Sequence, residues 1–338
     1  MEDKTLQTPE QEVEKKKTSF KEFLIKIKFD QWKGWLYLVP CIVLTLIFTV
    51  WPIINTVRIS LLEGYNSLAA KGGEIFSVGI GNFTHVLKAP NFSTCLKNTL
   101  LLCVLTVPIS TLLALIIAVC LNAIKPLQRF LQTIFFLPYV TNSIAIGMVF
   151  AAMFNMVGTN FNSSDPFIDT AGIMNNILGI FGVKPINWIN TGSSYAANIT
   201  VMVIYIVWNA LPFKILILLG GLQSVNKQYY EAAKIDSTPR WRVFWRITVP
   251  LLSPMLAYVI ITGFIGGFKE YSSIVGIFGD KMGPAGSAGT LNTMVGYIYN
   301  AIPNSNHGIA SAAALILFVI IFIVTMINLY VSKKKTHY

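Results

Sequence analysis

Six apolar runs, each long enough to cross a hydrocarbon layer about 30 Å thick, constrain what this sequence can fold into more than any other feature. They cover about 35–54, 99–121, 130–154, 196–222, 250–278 and 309–331. Each is apolar throughout and lacks the alternation of a membrane strand, so the expectation is an all-α membrane protein with six transmembrane helices. Hydrophobic residues make up 54% of the 338 and charged residues only 12%, and the charges lie mostly between the runs. That is the distribution a bilayer imposes.

The formal net charge of +11 could point to nucleic acid, but the basic residues flank the apolar runs instead of forming a stripe. With the N-terminus inside, 18 Lys and Arg fall on cytoplasmic segments and six on outer ones: Arg58, Lys71, Lys88, Lys97, Lys184 and Lys281. Positive residues near span ends stay on the cytoplasmic side, so both termini are expected there. The resulting organisation is a Lys-rich N-terminal tail over 1–34, a membrane domain over 35–331 with a structured loop at 223–249, and a short C-terminal tail over 332–338. The opening segment reads as a cytoplasmic tail and not as a cleavable signal. Within it Phe20, Phe23, Leu24 and Ile27 recur at helical spacing among lysines, which suits a helix lying in the inner interface as well as a solvated tail.

Several chemistries find no support. The cysteines, Cys41, Cys95, Cys103 and Cys120, lack metal-ligand spacing, and neither a zinc site nor a disulfide framework is expected. His85, His307 and His337 are scattered, no nucleophile and base fall together within the runs, and no phosphate-binding Gly-x-x-x-x-Gly-Lys-Ser/Thr occurs. No catalytic residue and no resident cofactor or metal is therefore assigned.

The most informative segment lies between the fourth and fifth runs, from Gln228 to Pro254. Glu231, Ala232 and Ala233 are strong helix formers, Ser237 or Thr238 can cap a following helix, and Pro239 suits a first turn. Trp241, Phe244 and Trp245 then share a face, with Arg240, Arg242 and Arg246 around it. Two short helices joined by a sharp turn are expected. This pattern resembles the EAA loop of the permease subunits of binding-protein-dependent ABC importers: Glu231, Ala232, Ala233, Asp236, Trp241, Phe244, Ile247, Thr248, Pro250, Leu251 and Leu252 all match. The family's glycine after the aspartate is replaced by Ser237, so the turn must either avoid a positive backbone φ or bear some strain there.

Similarity extends over about 35–335 and favours the maltose and glycerol-phosphate type of carbohydrate permease. It rests on Phe135 to Pro138, Leu219 to Gln223, Phe268 to Tyr271, Gly283 with Pro284, Tyr297 with Tyr299, and Gly308 to Ala314. The resemblance implies a type I importer fold in a bacterial cell membrane, a second permease subunit that is usually a different chain, two ATPase subunits that hold ATP and Mg, an extracellular solute-binding protein and a sugar substrate. It also implies that the loop carrying Glu231 docks on an ATPase, whereas an isolated Glu at this spacing would pair with Lys227 or Lys234.

Ionisable groups within apolar runs usually face a bundle interior, which singles out Lys214, Lys269 and Glu270. Substrate-pathway candidates carried over from the family are Asn209, Phe213, Gly267, Glu270 and Tyr271, which combine aromatic faces with hydrogen-bonding groups. Two other readings stay open at this point: a buried pair of Lys214 or Lys269 with Glu270 that only fixes packing, and an ion- or proton-coupled secondary transporter using all three. Pro138 and Pro212 are candidate bends.

Overall fold

A computed structural model describes residues 34–68, 72, 76–124, 128–156 and 172–335. The expected interfacial helix of the N-terminal tail lies outside these residues, as does much of the outer loop after the third run. Among the described residues the elements are helical, apart from an isolated bridge between Leu62 and Val78.

The chain forms two units, Met1–Ile59 and Ser60–Tyr338. The first holds all but the last residue of α1 (Gly34–Ser60), which is apolar on every face, with most of its large hydrophobic side chains exposed and a π-helical turn over Leu46–Val50. Hydroxyls that would be orphaned in hydrocarbon bond back to its own backbone: Thr45 Oγ1 donates to the Cys41 carbonyl and Thr56 Oγ1 to that of Pro52, both at 2.8 Å.

The second unit comprises α2 (Gly81–Lys88), α3 (Pro90–Ala123), α4 (Gln128–Val140), α5 (Ser143–Phe154), α6 (Ile173–Ile180), α7 (Tyr195–Ser224), α8 (Lys227–Ile235), α9 (Arg240–Leu251), α10 (Ser253–Phe268), α11 (Ser272–Phe278), α12 (Met294–Ala301) and α13 (His307–Lys335). Helices α1, α3, α7 and α13 are unbroken and long enough to span. Two bent pairs meet the same criterion of length and composition only together, α4 with α5 at 97° and α9 with α10 at 67°, so four helices are long and apolar enough to cross a membrane, or six if each bent pair crosses once.

Three apolar runs end differently from their sequence limits. The run over 130–154 turns at Thr141 and Asn142, just after Pro138, where the Asn142 side chain accepts from the amides of Ile144 and Ala145 and so starts α5 afresh. The run over 250–278 stops at Phe268 and resumes as α11. The expected C-terminal tail begins inside α13, which continues to Lys335 because Val331 to Lys335 contain no breaker. Pro212, by contrast, is accommodated within the continuous α7, and so is Pro108 within α3.

The bundle is built on α3 against α7. At α3 the residues turned inward are mostly small or hydroxylated, including Thr99, Cys103, Ser110, Thr111, Ala114 and Ala118, while Val104, Leu105, Ile109, Leu112 and Ile116 point out. With hydrocarbon outside there is no hydrophobic gain from burying leucine, so close packing of small side chains selects the inner face. The same rule appears where α5 crosses α11. A Cβ on Gly147 would stand 2.7 Å from the Gly276 Cα, and one on Gly276 2.9 Å from the Gly147 Cα, so the two backbones are in contact. Tyr205, Phe150 and Trp208 pack as rings beside this crossing.

Candidate functional site

One end of the bundle carries α8 and α9. The Asn226 side chain accepts from the Gln228 amide at 3.0 Å and starts α8; the helix ends in a Schellman motif, with Thr238 N–H donating to the Ala233 carbonyl at 2.9 Å and Ser237 N–H to that of Lys234 at 3.1 Å. This closure requires a left-handed residue after the C-cap, and Ser237 occupies it with φ of 49°. The turn therefore bears the strain that the family's glycine would avoid, of order 1 kcal/mol for a residue with a Cβ. The expected capping of the next helix by Ser237 or Thr238 is not what forms. Ser237 is used to close α8, and Pro239 is the N-cap of α9, its carbonyl accepting from Arg242 and Val243.

Helix α9 passes through a π-helical turn at Phe244–Thr248, which lets Trp241, Phe244 and Trp245 cluster with ring centroids 5.0–6.3 Å apart. Tyr230 and Thr248 share a hydroxyl hydrogen bond at 3.3 Å, tying α8 to α9, and Ala233 is buried at the joint. What remains outside is distinctive: Ile235 is 84% exposed and Trp241 72%, and Glu231, Ala232 and Asp236 are exposed beside them. Large apolar and aromatic side chains thus stand exposed among charged ones on these two helices. Among the described residues Glu231 forms no ion pair with Lys227 or Lys234, so its carboxylate is not engaged as a surface pair.

The charges singled out within the apolar runs are satisfied separately: Lys214 lies on α7, and Lys269 and Glu270 are neighbours between α10 and α11. Lys214, on α7 and 4% exposed, donates to Ser110 Oγ at 2.7 Å, Thr111 Oγ1 at 2.9 Å and the Val107 carbonyl at 3.3 Å, all on α3. Gly263 on α10 leaves room for it, since a Cβ there would lie 3.2 Å from the Lys214 amine. The Glu270 carboxylate accepts the Ser273 amide at 3.2 Å at the start of α11, and Lys269 is exposed. The buried Lys–Glu pair considered from sequence does not form: hydroxyls one helix away satisfy Lys214, and the carboxylate caps its own following helix.

The pathway candidates fall into two groups. Phe213 stacks on Tyr139 at 6.0 Å and 18° and meets Tyr258 at 6.4 Å, with Asn209 one turn away on α7. Tyr271 stacks on Tyr299 at 4.6 Å beside Glu270, and Thr293 Oγ1 donates to the Glu270 carbonyl at 2.8 Å. Gly267 is a close-approach glycine, for its Cβ would lie 2.8 Å from the Cys103 sulfur. Sequence reasoning missed Tyr139 and Tyr258, used Tyr299 only as part of the resemblance and not as a partner of Tyr271, and missed the hydroxyls of Ser110 and Thr111. The latter had a signal, two adjacent hydroxyls in an apolar run of a chain that elsewhere contains an unexplained lysine.

At the opposite end of the bundle Asn98 binds the return from α11 to α12. Its Nδ2 donates to the carbonyls of Thr290 and Asn292, both at 2.9 Å, and its Oδ1 accepts from the Tyr195 hydroxyl at 2.7 Å. Thr99 Oγ1 accepts the Met294 amide at 3.0 Å, starting α12.

Residues 110–337 match the family model described as binding-protein-dependent transport system inner membrane component. The trehalose/maltose transport system permease protein MalF of Thermococcus litoralis is 30% identical over 92% of this chain and 97% of its own. The lactose transport system permease protein LacF of Rhizobium radiobacter is 28% identical over 89% and 94%, and an arabinooligosaccharides transport system permease protein AraP of Bacillus subtilis is 29% identical over 88% of each. Among solved structures, a chain of a bacterial ABC transporter involved in the import of the acidic polysaccharide alginate superposes with a TM-score of 0.71, covering 94% of this chain and all of that one at 22% identity, a likeness of fold. The chain belongs to the family of inner membrane components of binding-protein-dependent transport systems, multi-pass subunits that carry out transport and not catalysis.

Proposed function

We propose that this permease serves an ATP-driven importer of oligosaccharides and that it couples to an ATPase subunit through α8 and α9. The observation that carries the coupling role is the exposure of Ile235 and Trp241 on the two helices that also expose Glu231, whose carboxylate forms no ion pair among the described residues, with the strained turn at Ser237 joining them. In this reading Glu231, Ala232, Ala233, Asp236 and Ser237 form the rigid lever, and a partner surface covers the aromatic cluster. ATP and Mg belong to two partner ATPases, whose closure moves the lever. A second permease chain completes the pathway, and an extracellular binding protein delivers the sugar. The excess of basic residues on α8, α9 and the end of α13 supports placing those segments, and both termini, in the cytoplasm.

The substrate class rests on the relatives, whose names specify lactose, trehalose or maltose, and arabinooligosaccharides. It also suits the stacked rings at Phe213 and Tyr271, since pyranose C–H faces pack on aromatic rings while Asn209 and Glu270 offer hydrogen bonds to hydroxyls. The test is ATPase activity of the whole purified transporter in nanodiscs with its binding protein, against a panel of oligosaccharides, native and Glu231→Ala. The expected result is stimulation by one sugar that disappears in the variant while the assembly stays intact. Sugar-stimulated hydrolysis that survives the substitution would remove Glu231 from coupling.

A further inference from the structure

A cavity of about 480 Å³ opens between α10 and α13 at the end of the bundle that carries α9. Its walls are apolar, with Leu256, Ala257, Ile260 and Ile261 from α10 and Val331 from α13. Polar groups gather at one end only: Ser253, Asn328, Ser332 and Lys334. The Asn328 amide is half-buried and has no hydrogen-bond partner among the described residues, which is costly at membrane depth unless a bound group supplies one, whereas the Ser253 hydroxyl is closed off within the wall.

Length and charge indicate the occupant. From Ser253 to Ile261 the wall rises about 12 Å at 1.5 Å per residue, close to the half-thickness, about 15 Å, of a hydrocarbon layer. The cavity thus spans one leaflet, with its polar end at the interface. Residues 240–268 and 307–338 contain no Asp or Glu, whereas Arg240, Arg242, Arg246, Lys333, Lys334 and Lys335 all belong to these two segments. A groove that is apolar over one leaflet, presents the Asn328 amide at glycerol depth and ends at Lys334 beside Lys333 complements an anionic headgroup on an acyl chain. A protein helix would satisfy the walls but would leave the Asn328 amide and the lysines without ester or anionic acceptors.

We infer that this groove is a binding site for an anionic glycerophospholipid of the inner leaflet, its phosphate held by Lys334 and Lys333, its ester oxygens facing Asn328, and a chain lying along Leu256 to Ile261. The cavity adjoins α9 through Val249 and Pro250 but includes none of the sugar-pathway candidates and neither Ile235 nor Trp241; its assignment to the inner leaflet rests on the orientation proposed above, while lipid binding is read separately from sugar-stimulated hydrolysis.

The test is native mass spectrometry of the whole purified transporter titrated with phosphatidylglycerol or with phosphatidylcholine of identical chains. One phosphatidylglycerol is expected to bind at least about fivefold more tightly than phosphatidylcholine. Lys333→Gln with Lys334→Gln, at an exposed helix end where folding is not at stake, should abolish that preference, and Ala257→Phe, which fills the groove, should reduce binding of both lipids. Equal affinity for the two lipids, or a preference that survives the double lysine change, overturns the inference. So does a groove-filling variant that keeps its lipid but releases another permease chain, which would assign the groove to a subunit interface.

Discussion

Replacing Ser110 by Ala together with Thr111 by Val strips away the two hydroxyls that hold the Lys214 amine at 2.7 and 2.9 Å and leaves only the Val107 carbonyl at 3.3 Å. Hydrogen bonds to a charged group contribute about 1.5–3 kcal/mol each, so the double change is expected to cost about 3–6 kcal/mol with lysine present. At 4% exposure the side chain has little route to water for compensation. Lys214→Met behaves differently. The hydroxyls keep bonds within α3, Ser110 to the carbonyls of Thr106 and Val107 and Thr111 to that of Val107, so no orphan is created and the change should cost less than about 1.5 kcal/mol. In the Lys214→Met background, loss of the hydroxyls should then be nearly harmless. Equilibrium unfolding in mixed micelles of all four proteins gives a double-mutant cycle, and a coupling energy of at least about 2 kcal/mol is expected for residues in one network. Additivity within about 0.5 kcal/mol would show that the hydroxyls do not support the charge and would refute the reasoning.

Ser237→Gly should relieve the left-handed strain at the α8 turn by about 1 kcal/mol and slow hydrogen exchange of the Asp236 to Thr238 amides about fivefold; unchanged or faster exchange would show that the turn is not strained. Gly276→Ala places a methyl 2.9 Å from the Gly147 Cα and 3.0 Å from the Ile144 carbonyl, backbone atoms that cannot rotate away, so a loss of about 1–3 kcal/mol is expected in the same micelle assay. Asn98→Leu frees the carbonyls of Thr290 and Asn292, and trypsin should then cut after Lys281 several times faster in the intact transporter; cleavage at the native rate would dissociate Asn98 from the order of that loop.

Where the sequence is legible, the reason is that one residue type answers one physical demand. Apolar runs of sufficient length have no other use, so the four helices long enough to span can be read directly, whereas the runs over 130–154 and 250–278 are each interrupted. The Glu231 to Pro250 loop stands out because its helix formers, breaker and aromatic run occupy a short polar interval where packing alone does not explain them. The inner faces are not legible because lipid and protein interior make nearly the same demand: on α3, Val107 is buried and Val104 is exposed, and nothing local distinguishes them. The distinction emerges only from which side chains are small enough for α7 to approach, a property of two distant segments together. The same non-locality hides the partner of Lys214. A lysine in an apolar run invites the search for a carboxylate, and Glu270 is the available one, yet a bundle can stabilise an ammonium with hydroxyls and a carbonyl on the neighbouring helix. Bends are readable only in part. Proline marks where a helix can bend, but Pro108 and Pro212 stay within continuous helices, while the 97° turn after Pro138 also uses Asn142 to start a new helix. A proline followed within a turn by a side chain able to cap the next helix is therefore the stronger signal for a broken span, because the backbone amides freed by the break acquire an acceptor where water is scarce.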